Sequence, residues 1–175
     1  MRYVHHWIGG KKVRSRSGRS GPVYDPATGE QQADVGFASA AEGDDAVAAA
    51  AEAYAAWRRT SLSRRTEVMF RFRHLLDERR SEIAAVVSSE HGKVRSDAAG
   101  ELARGIENVE FACGVPALLK GGFTEQAATD VDVHSIRQPL GVVAGIPPFN
   151  FPSMVPPWML PTAIACGNTF VLNPG

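Results

Sequence analysis

The amino-acid sequence predicts an α/β fold with short β-hairpins first, a helical segment next and the start of a parallel sheet last. Three observations support this prediction. Glycine and proline turns divide the first 37 residues into short β-type segments. Apolar residues then recur every three or four positions up to about residue 116, which is the period of an amphipathic helix. Two apolar runs flank a helix-length segment after residue 139, as in a β-α-β unit.

The composition is that of an ordinary soluble globular protein with a sizeable core. Nineteen Lys and Arg residues balance nineteen Asp and Glu residues, so no strong net field favours nucleic acid as a partner. The two cysteines are too few for a disulfide framework and lack metal-ligand spacing, so no metal site is predicted. The first residues lack the apolar core of a secretory signal, and a reduced, cytoplasmic setting is expected.

Charged side chains are confined to the first part of the chain, because every Asp, Glu, Lys and Arg lies at or before Arg137. A membrane helix is one explanation, but it needs about 20 uninterrupted apolar residues. Six prolines between residues 147 and 161 divide the remaining stretch into short pieces. We therefore interpret residues 138–175 as the interior of a large α/β domain, and no membrane partner is predicted.

The β-type segments come first. Val4 to Val13 is predicted as a hairpin broken at Gly9-Gly10, and a turn over residues 25–29 is predicted to lead into a strand from Ala33 to Phe37.

Three helix boundaries carry recognisable capping signals. Ser39 can cap a helix, with Glu42 at the capping-box position. Ser61 or Ser63 opens a second helix, and the helical pattern is predicted to continue through Ile83, Val86 and Val87 to a C-cap at Gly92. A long helix is predicted from about Val94 to about Pro116. Four of its apolar residues share one face and predict a buried stripe: Leu102, Ile106, Val109 and Cys113.

The last third of the chain predicts strands again. Residues 129–136 alternate between polar and apolar, as expected of a half-exposed strand. Residues 140–146 form a continuous apolar run that suits a parallel strand buried on both faces. A helix from about Met154 to Cys166 and a strand from Thr169 to Leu172 complete the β-α-β unit.

One polar side chain lies where such a sheet binds ligands, at the carboxyl end of a strand. Asn150 follows the first parallel strand in a loop that three nearby prolines stiffen, at positions 147, 148 and 152. A side-chain amide fixed there can donate a hydrogen bond to an oxyanion. The alternative is that the amide bonds the backbone of its own loop, as asparagine often does.

Two segments of this region carry a resemblance to a known family. Residues 145–152 read GIPPFNFP and resemble the cofactor-and-oxyanion loop of aldehyde dehydrogenases, and residues 166–172, CGNTFVL, resemble the strand that follows. Phe149 stands where most of the family has tryptophan. Together with EHGK at 90–93, RGIE at 104–107 and MVPPWM at 154–159, it resembles the methylmalonate-semialdehyde branch.

The resemblance implies NAD-dependent oxidation of methylmalonate or malonate semialdehyde. Coenzyme A takes the acyl group as propionyl-CoA or acetyl-CoA, and CO₂ is released. It also implies a homo-oligomeric, cytoplasmic enzyme of valine and myo-inositol catabolism. Residues 1–122 then correspond to the strands and helices of the cofactor-binding domain, 123–136 to an oligomerisation strand segment, and 137–175 to the first β-α-β of a Rossmann-like NAD-binding sheet.

The site residues are carried over position by position. Asn150 matches the oxyanion donor, and Arg104 matches an arginine that holds the substrate carboxylate. Without the resemblance, the residue pattern favours a surface ion pair between Arg104 and Glu101 on the same helix; the resemblance favours the carboxylate-binding role instead. The remaining matches concern NAD: Ile146, Pro147, Phe149 and Asn173.

Two departures from the family pattern bear on activity. Asn173 replaces a lysine that contacts the adenosine ribose, and Gly175 stands where serine is expected. The family's nucleophilic cysteine falls later than these residues, whereas Cys113 and Cys166 are expected to be buried structural thiols. The 175 residues by themselves are therefore expected to be inactive. Two alternatives stay open, a non-catalytic truncated remnant or docking fragment, and an aldehyde dehydrogenase that transfers the acyl group to water.

Overall fold

The computed structural model describes residues 1–174, so the expectation for Gly175 and the last position of the predicted segment 137–175 lie outside the described residues. The fold is mixed α/β, as the sequence predicts. Within the described residues, no helix is both long and apolar enough to cross a membrane.

Five short strands open the fold. They are β1 (Arg2–Val4), β2 (His6–Ile8), β3 (Lys11–Val13), β4 (Ser20–Tyr24) and β5 (Gln31–Gly36). β2 and β3 form an antiparallel hairpin whose turn uses Gly9 and Gly10 at φ 57° and 74°, a region that glycine enters at little cost. β5 lies between β1, which runs parallel to it, and β4, which runs antiparallel. The predicted hairpin break is confirmed.

Five helices follow. They are α1 (Ala40–Trp57), α2 (Leu62–Glu78), α3 (Arg80–His91), α4 (Arg95–Cys113) and the short α5 (Val115–Leu118). Ser61 caps α2, which decides between the two predicted serines. The helical pattern predicted to continue to Gly92 is divided at Arg79 into α2 and α3. Gly92 ends α3 at φ 86°, as expected of a helix C-cap.

The predicted capping box at the start of α1 is present and extends to a neighbouring loop. The buried Glu42 carboxylate accepts hydrogen bonds from the backbone N–H groups of Ser39 (2.9 Å) and Arg16 (2.7 Å). These two bonds are the main reason that the pKa of Glu42 falls from 4.5 to about 2. One carboxylate therefore fixes both the helix start and the segment that follows β3.

The core is built around α4. Its predicted apolar stripe is confirmed, since Leu102, Ile106, Val109 and Cys113 are all buried. α4 packs against α2 and α3 and, later in the chain, against α6 (Val155–Ala165). Glycine at position 105 lets α6 and the residues just before it approach, because a Cβ there would lie 2.8 Å from the Ser153 carbonyl oxygen and 3.2 Å from Pro157 of α6.

Residues 122–135 form an antiparallel hairpin, β6 (Gly122–Ala128) and β7 (Val131–Ser135). The predicted half-exposed strand over 129–136 is wrong in two respects. Residues 129 and 130 form the turn, and every residue of both strands is exposed. The alternation of polar and apolar residues had indicated one covered face, but within residues 1–174 nothing packs over this hairpin. Its role as an oligomerisation segment stays a prediction.

The predicted β-α-β unit is confirmed as β8 (Val142–Gly145), α6 and β9 (Thr169–Leu172), with β8 and β9 parallel. Both α1 and α6 pack against these strands. The Trp57 indole N–H donates to the Ile164 carbonyl at 2.9 Å and joins the end of α1 to α6. The prediction that the first strand is buried on both faces is wrong for residues 1–174, because Val142 is 36% exposed.

Candidate active site

The loop over residues 146–154 leaves the carboxyl end of β8 and leads into α6. Pro147 is buried and anchors the start of the loop, whereas the side chain of Asn150 is exposed. No hydrogen bond joins the Asn150 amide to any group among residues 1–174, so the alternative of a local bond to the loop's own backbone is not found. The amide is free to bind a ligand.

A lysine from another part of the chain holds the backbone of Asn150. Lys93 follows α3, and its Nζ donates to the Asn150 carbonyl oxygen at 2.7 Å. The same ammonium lies 4.2 Å from the centroid of the Phe151 ring, which is cation–π geometry. The loop is therefore fixed at residues 150 and 151 by one cation.

A buried carboxylate holds the other end of the loop. Glu101 Oε1 accepts from the backbone N–H of Ser153 (2.7 Å), the hydroxyl of Ser153 (2.9 Å) and the backbone N–H of Met154 (3.1 Å). Its Oε2 forms an ion pair with Lys93. Burial by itself would raise the pKa of Glu101, but the hydrogen bonds from Lys93 and Ser153 outweigh it and hold this pKa below 4.5.

A histidine supports Phe149, the residue before Asn150. The rings of His91 and Phe149 are stacked at 6.3 Å between centroids and 26° between planes. Both His91 ring nitrogens are buried and have no hydrogen-bond partner among residues 1–174. The two rings line a cavity of about 560 Å³ between α3, α4 and the loop. His91 thus supports the loop by packing and takes no part in its hydrogen bonding.

Arg104 does not form the surface ion pair that its position on the helix had suggested as an alternative. Glu101 is buried and bonded to Lys93 and Ser153, whereas Arg104 is exposed, so the predicted pairing of Arg104 with Glu101 is wrong. Among the described residues no carboxylate pairs with the Arg104 guanidinium. A free guanidinium on α4 can bind a carboxylate in two-pronged fashion.

The residues predicted to bind NAD lie at one edge of the sheet. Gly145 pairs with Leu172 in the parallel register, and the Asn173 N–H donates to the Gly145 carbonyl at 3.0 Å. Ile146 and Asn173 therefore follow adjacent strand ends. Ile146 is 76% exposed and Phe149 is 74% exposed, so both offer apolar surface at this edge, whereas Pro147 is buried. The structure brings the four residues to one region, as expected of a sheet with this register.

Neither cysteine has the environment of a reactive thiol. Burial raises the pKa of both Cys113 and Cys166, and for Cys166 the nearby Arg65 offsets this only in part. Both lie away from the loop, in the cluster of α2, α4, α5 and α6. Residues 1–174 also contain no group of three His, Cys, Asp or Glu side chains that could hold a metal ion.

Sequence reasoning missed the roles of Lys93 and Glu101, although a signal for one of them existed. Glu101 lies three residues after Ala98 and four before Gly105, so a helix places it on the buried face. A carboxylate at a buried position needs a partner. Its partners could not be identified from spacing, because Ser153 and Met154 are about fifty positions further along the chain.

Comparison with known proteins adds independent evidence. A model described as the aldehyde dehydrogenase family matches residues 13–175. The malonate-semialdehyde dehydrogenase of Pseudomonas aeruginosa is 49% identical over 174 residues, and malonate-semialdehyde dehydrogenase 3 of Geobacillus kaustophilus is 54% identical over 171 residues. These alignments cover 99% and 98% of this chain but 35% of each relative, so the chain spans about a third of their length.

Solved structures give the same relationship. A protein of Sinorhizobium meliloti described as a methylmalonate-semialdehyde dehydrogenase, complexed with NAD, matches with a TM-score of 0.98 and 47% identity. The methylmalonate-semialdehyde dehydrogenase of Oceanimonas doudoroffii matches with a TM-score of 0.97 and 49% identity. Each match covers 100% of this chain and 36% of the other.

Proposed function

This chain belongs to the aldehyde dehydrogenase family, and we propose on that premise that it forms the amino-terminal part of an NAD-dependent semialdehyde dehydrogenase. The proposed substrates are malonate and methylmalonate semialdehyde, which are named in its relatives. The observation that carries the proposal is the exposed Asn150 amide on a loop that Lys93 and Glu101 hold at the carboxyl end of β8.

Asn150 is proposed to be the oxyanion donor. When a thiolate adds to an aldehyde, negative charge develops on the carbonyl oxygen. An amide N–H held at a fixed position stabilises that charge better than water does, because it need not reorient during the reaction. The Asn150 side chain has no competing partner among residues 1–174, so both of its N–H groups are free to donate.

Arg104 is proposed to hold the carboxylate at the other end of the substrate. Its guanidinium is exposed, and Glu101, three residues earlier on the same helix, is buried and paired with Lys93. A guanidinium fork matches a carboxylate in two-pronged geometry. This contact favours semialdehydes that carry an acid group over simple aldehydes.

NAD is proposed to bind at the edge where β8 and β9 end. Ile146 and Phe149 present exposed apolar surface there, which fits a flat ring system, and Pro147 fixes the backbone beside them. NAD, when bound, accepts the hydride from the substrate carbon. Asn173 can give the cofactor a neutral hydrogen bond but no charge, so this part of the site is weaker than one with lysine.

The acyl acceptor is proposed to be coenzyme A, with loss of CO₂ and formation of acetyl-CoA or propionyl-CoA. Water as the acceptor is the alternative within the same class, and it would give the free acid. This proposal rests on the resemblance to the methylmalonate-semialdehyde branch. A place in valine and myo-inositol catabolism, a cytoplasmic location and a homo-oligomeric assembly through the exposed β6–β7 hairpin are proposed on the same basis.

A second proposal is that residues 1–175 by themselves have no turnover and act at most as a docking fragment. The observation that favours it is the state of the two thiols. Both Cys113 and Cys166 have raised pKa values and lie away from the loop that carries Asn150. A thiol in that state is a poor nucleophile at neutral pH.

A fusion protein tests both proposals. Residues 1–175 are joined to the remaining two thirds of the Pseudomonas aeruginosa relative, and NAD reduction with malonate semialdehyde is measured with and without coenzyme A. The fusion is expected to be active and to form acetyl-CoA, whereas residues 1–175 alone give no signal. Asn150→Ala is expected to lower kcat by about 100- to 1,000-fold. A folded, active fusion with unchanged kcat after Asn150→Ala would disprove the oxyanion role.

A further inference from the structure

We infer that Lys93 and Glu101 act together as positioning residues that set the direction of the Asn150 amide. The inference rests on the proposed function of Asn150 as an oxyanion donor. Neither residue needs to touch the substrate for this role. They act through the backbone of the loop, which each of them binds at a different point.

The loop is fixed on both sides of Pro152. Lys93 Nζ binds the Asn150 carbonyl at 2.7 Å, and Glu101 Oε1 binds the N–H groups of Ser153 and Met154 at 2.7 and 3.1 Å. Pro152 has a fixed φ of about −65° between these two points. The backbone around residue 150 therefore has little freedom, while its side chain stays unbound.

The two charged groups depend on each other. Side-chain exposure is 17% for Lys93 and 2% for Glu101, so each would be a poorly solvated charge without the other. Glu101 Oε2 directs Lys93 toward the loop, and Lys93 in turn neutralises the Glu101 carboxylate. Glu101 Oε1 accepts the three hydrogen bonds from Ser153 and Met154. Removing either residue breaks one contact to the loop directly and leaves the other charge without its ionic partner, which weakens the second contact.

This arrangement predicts a specific kinetic signature. A misdirected amide weakens transition-state binding without touching the substrate's ground-state contacts, so kcat falls and KM changes little. Misplacement of a catalytic group by about 1 Å costs about a hundredfold in rate. Lys93→Met in the fusion protein is therefore expected to lower kcat by roughly tenfold to a hundredfold with a nearly constant KM. Lys12→Met, at an exposed lysine of β3, is the matched control and should leave both constants unchanged.

A double-mutant cycle with Asn150→Ala separates positioning from a general structural role. When the amide is absent, its direction no longer matters, so Lys93→Met should add no more than about a twofold further loss of kcat. An equal loss in both backgrounds would overturn the inference, and so would an unchanged kcat in Lys93→Met alone. If Asn150→Ala has no effect in an active fusion, the proposed function fails instead, which keeps the two failures distinct.

A milder variant covers the case in which Lys93→Met does not fold. Ser153→Ala removes only the hydroxyl that donates to Glu101 at 2.9 Å and leaves the ion pair intact. It is expected to lower kcat a few-fold with a constant KM, and to lose this effect in the Asn150→Ala background. Ser153→Ala with a kcat equal to that of the parent, or with the same loss in both backgrounds, would contradict the positioning role.

Discussion

Alanine at position 105 tests how closely α4 packs against the loop that carries Asn150. A Cβ at Gly105 would lie 2.8 Å from the Ser153 carbonyl oxygen and 3.2 Å from Cβ and Cγ of Pro157. The first distance is shorter than a carbon and a backbone oxygen tolerate, so the loop must move. Gly100 lies on the same helix, and a Cβ there meets nothing within 4 Å. The two glycines therefore form a matched pair.

The expected magnitudes follow from two opposing effects. Alanine is favoured over glycine inside a helix by about 1 kcal/mol, and both variants gain this. Overpacking costs about 1–3 kcal/mol, and only Gly105→Ala incurs it. Gly100→Ala should thus raise stability by about 1 kcal/mol, whereas Gly105→Ala should lower it by up to about 2 kcal/mol. The difference between the variants is about 2 kcal/mol, or roughly thirtyfold in an equilibrium constant.

Hydrogen exchange in the fusion protein measures this difference locally. Amides of the loop over 146–154 and of the start of α6 should exchange faster in Gly105→Ala, whereas Gly100→Ala should keep or increase protection in α4. Oxyanion stabilisation should weaken in the same variant, so kcat is expected to fall in Gly105→Ala only. Equal protection and equal kcat in the two variants would refute the close packing of α4 on this loop.

Four further results are expected. The pKa of Glu42 is lowered to about 2, so the contribution of its carboxylate to stability is complete above about pH 4.5 and is lost as pH falls toward 2. Denaturant unfolding at successive pH values should show this loss in the unsubstituted protein but not in Glu42→Gln. Leu102→Ala should lower the free energy of unfolding by about 2–5 kcal/mol, and Leu118→Ala, at an exposed position, by much less; equal effects would contradict the core assignment. Cys113 is buried and burial raises its pKa, so it should react slowly with a thiol reagent until the protein unfolds, and it should react more slowly than the half-buried Cys166; fast labelling of Cys113 in the native protein would show that it is not buried. Residues 1–175 expressed alone should associate, because large apolar side chains such as Leu140 are exposed. A monodisperse monomer in size-exclusion chromatography that melts cooperatively by circular dichroism would argue against this.

Local physics explains why much of the fold could be predicted. The capping box of Ser39 and Glu42 needs only residues three positions apart, and the left-handed conformation at Gly92 needs only a residue without a Cβ. The stripe from Leu102 to Cys113 follows from helical periodicity. Asn150 follows the first strand of a β-α-β unit, so the sequence also placed it beyond the carboxyl end of β8. Because β8 and β9 are parallel, both strands end at that edge of the sheet.

The sequence by itself determined the order of the elements, the helix ends at Ser39 and Gly92, and the family, because each depends on short-range spacing or on motifs that stand together in the chain. Tertiary structure decided which charges meet. It buried Glu101 against Lys93 and Ser153, left Arg104 free, and exposed both strands of the β6–β7 hairpin. Such contacts join positions up to 57 residues apart, and only the folded chain fixes the distances on which hydrogen bonds and ion pairs depend.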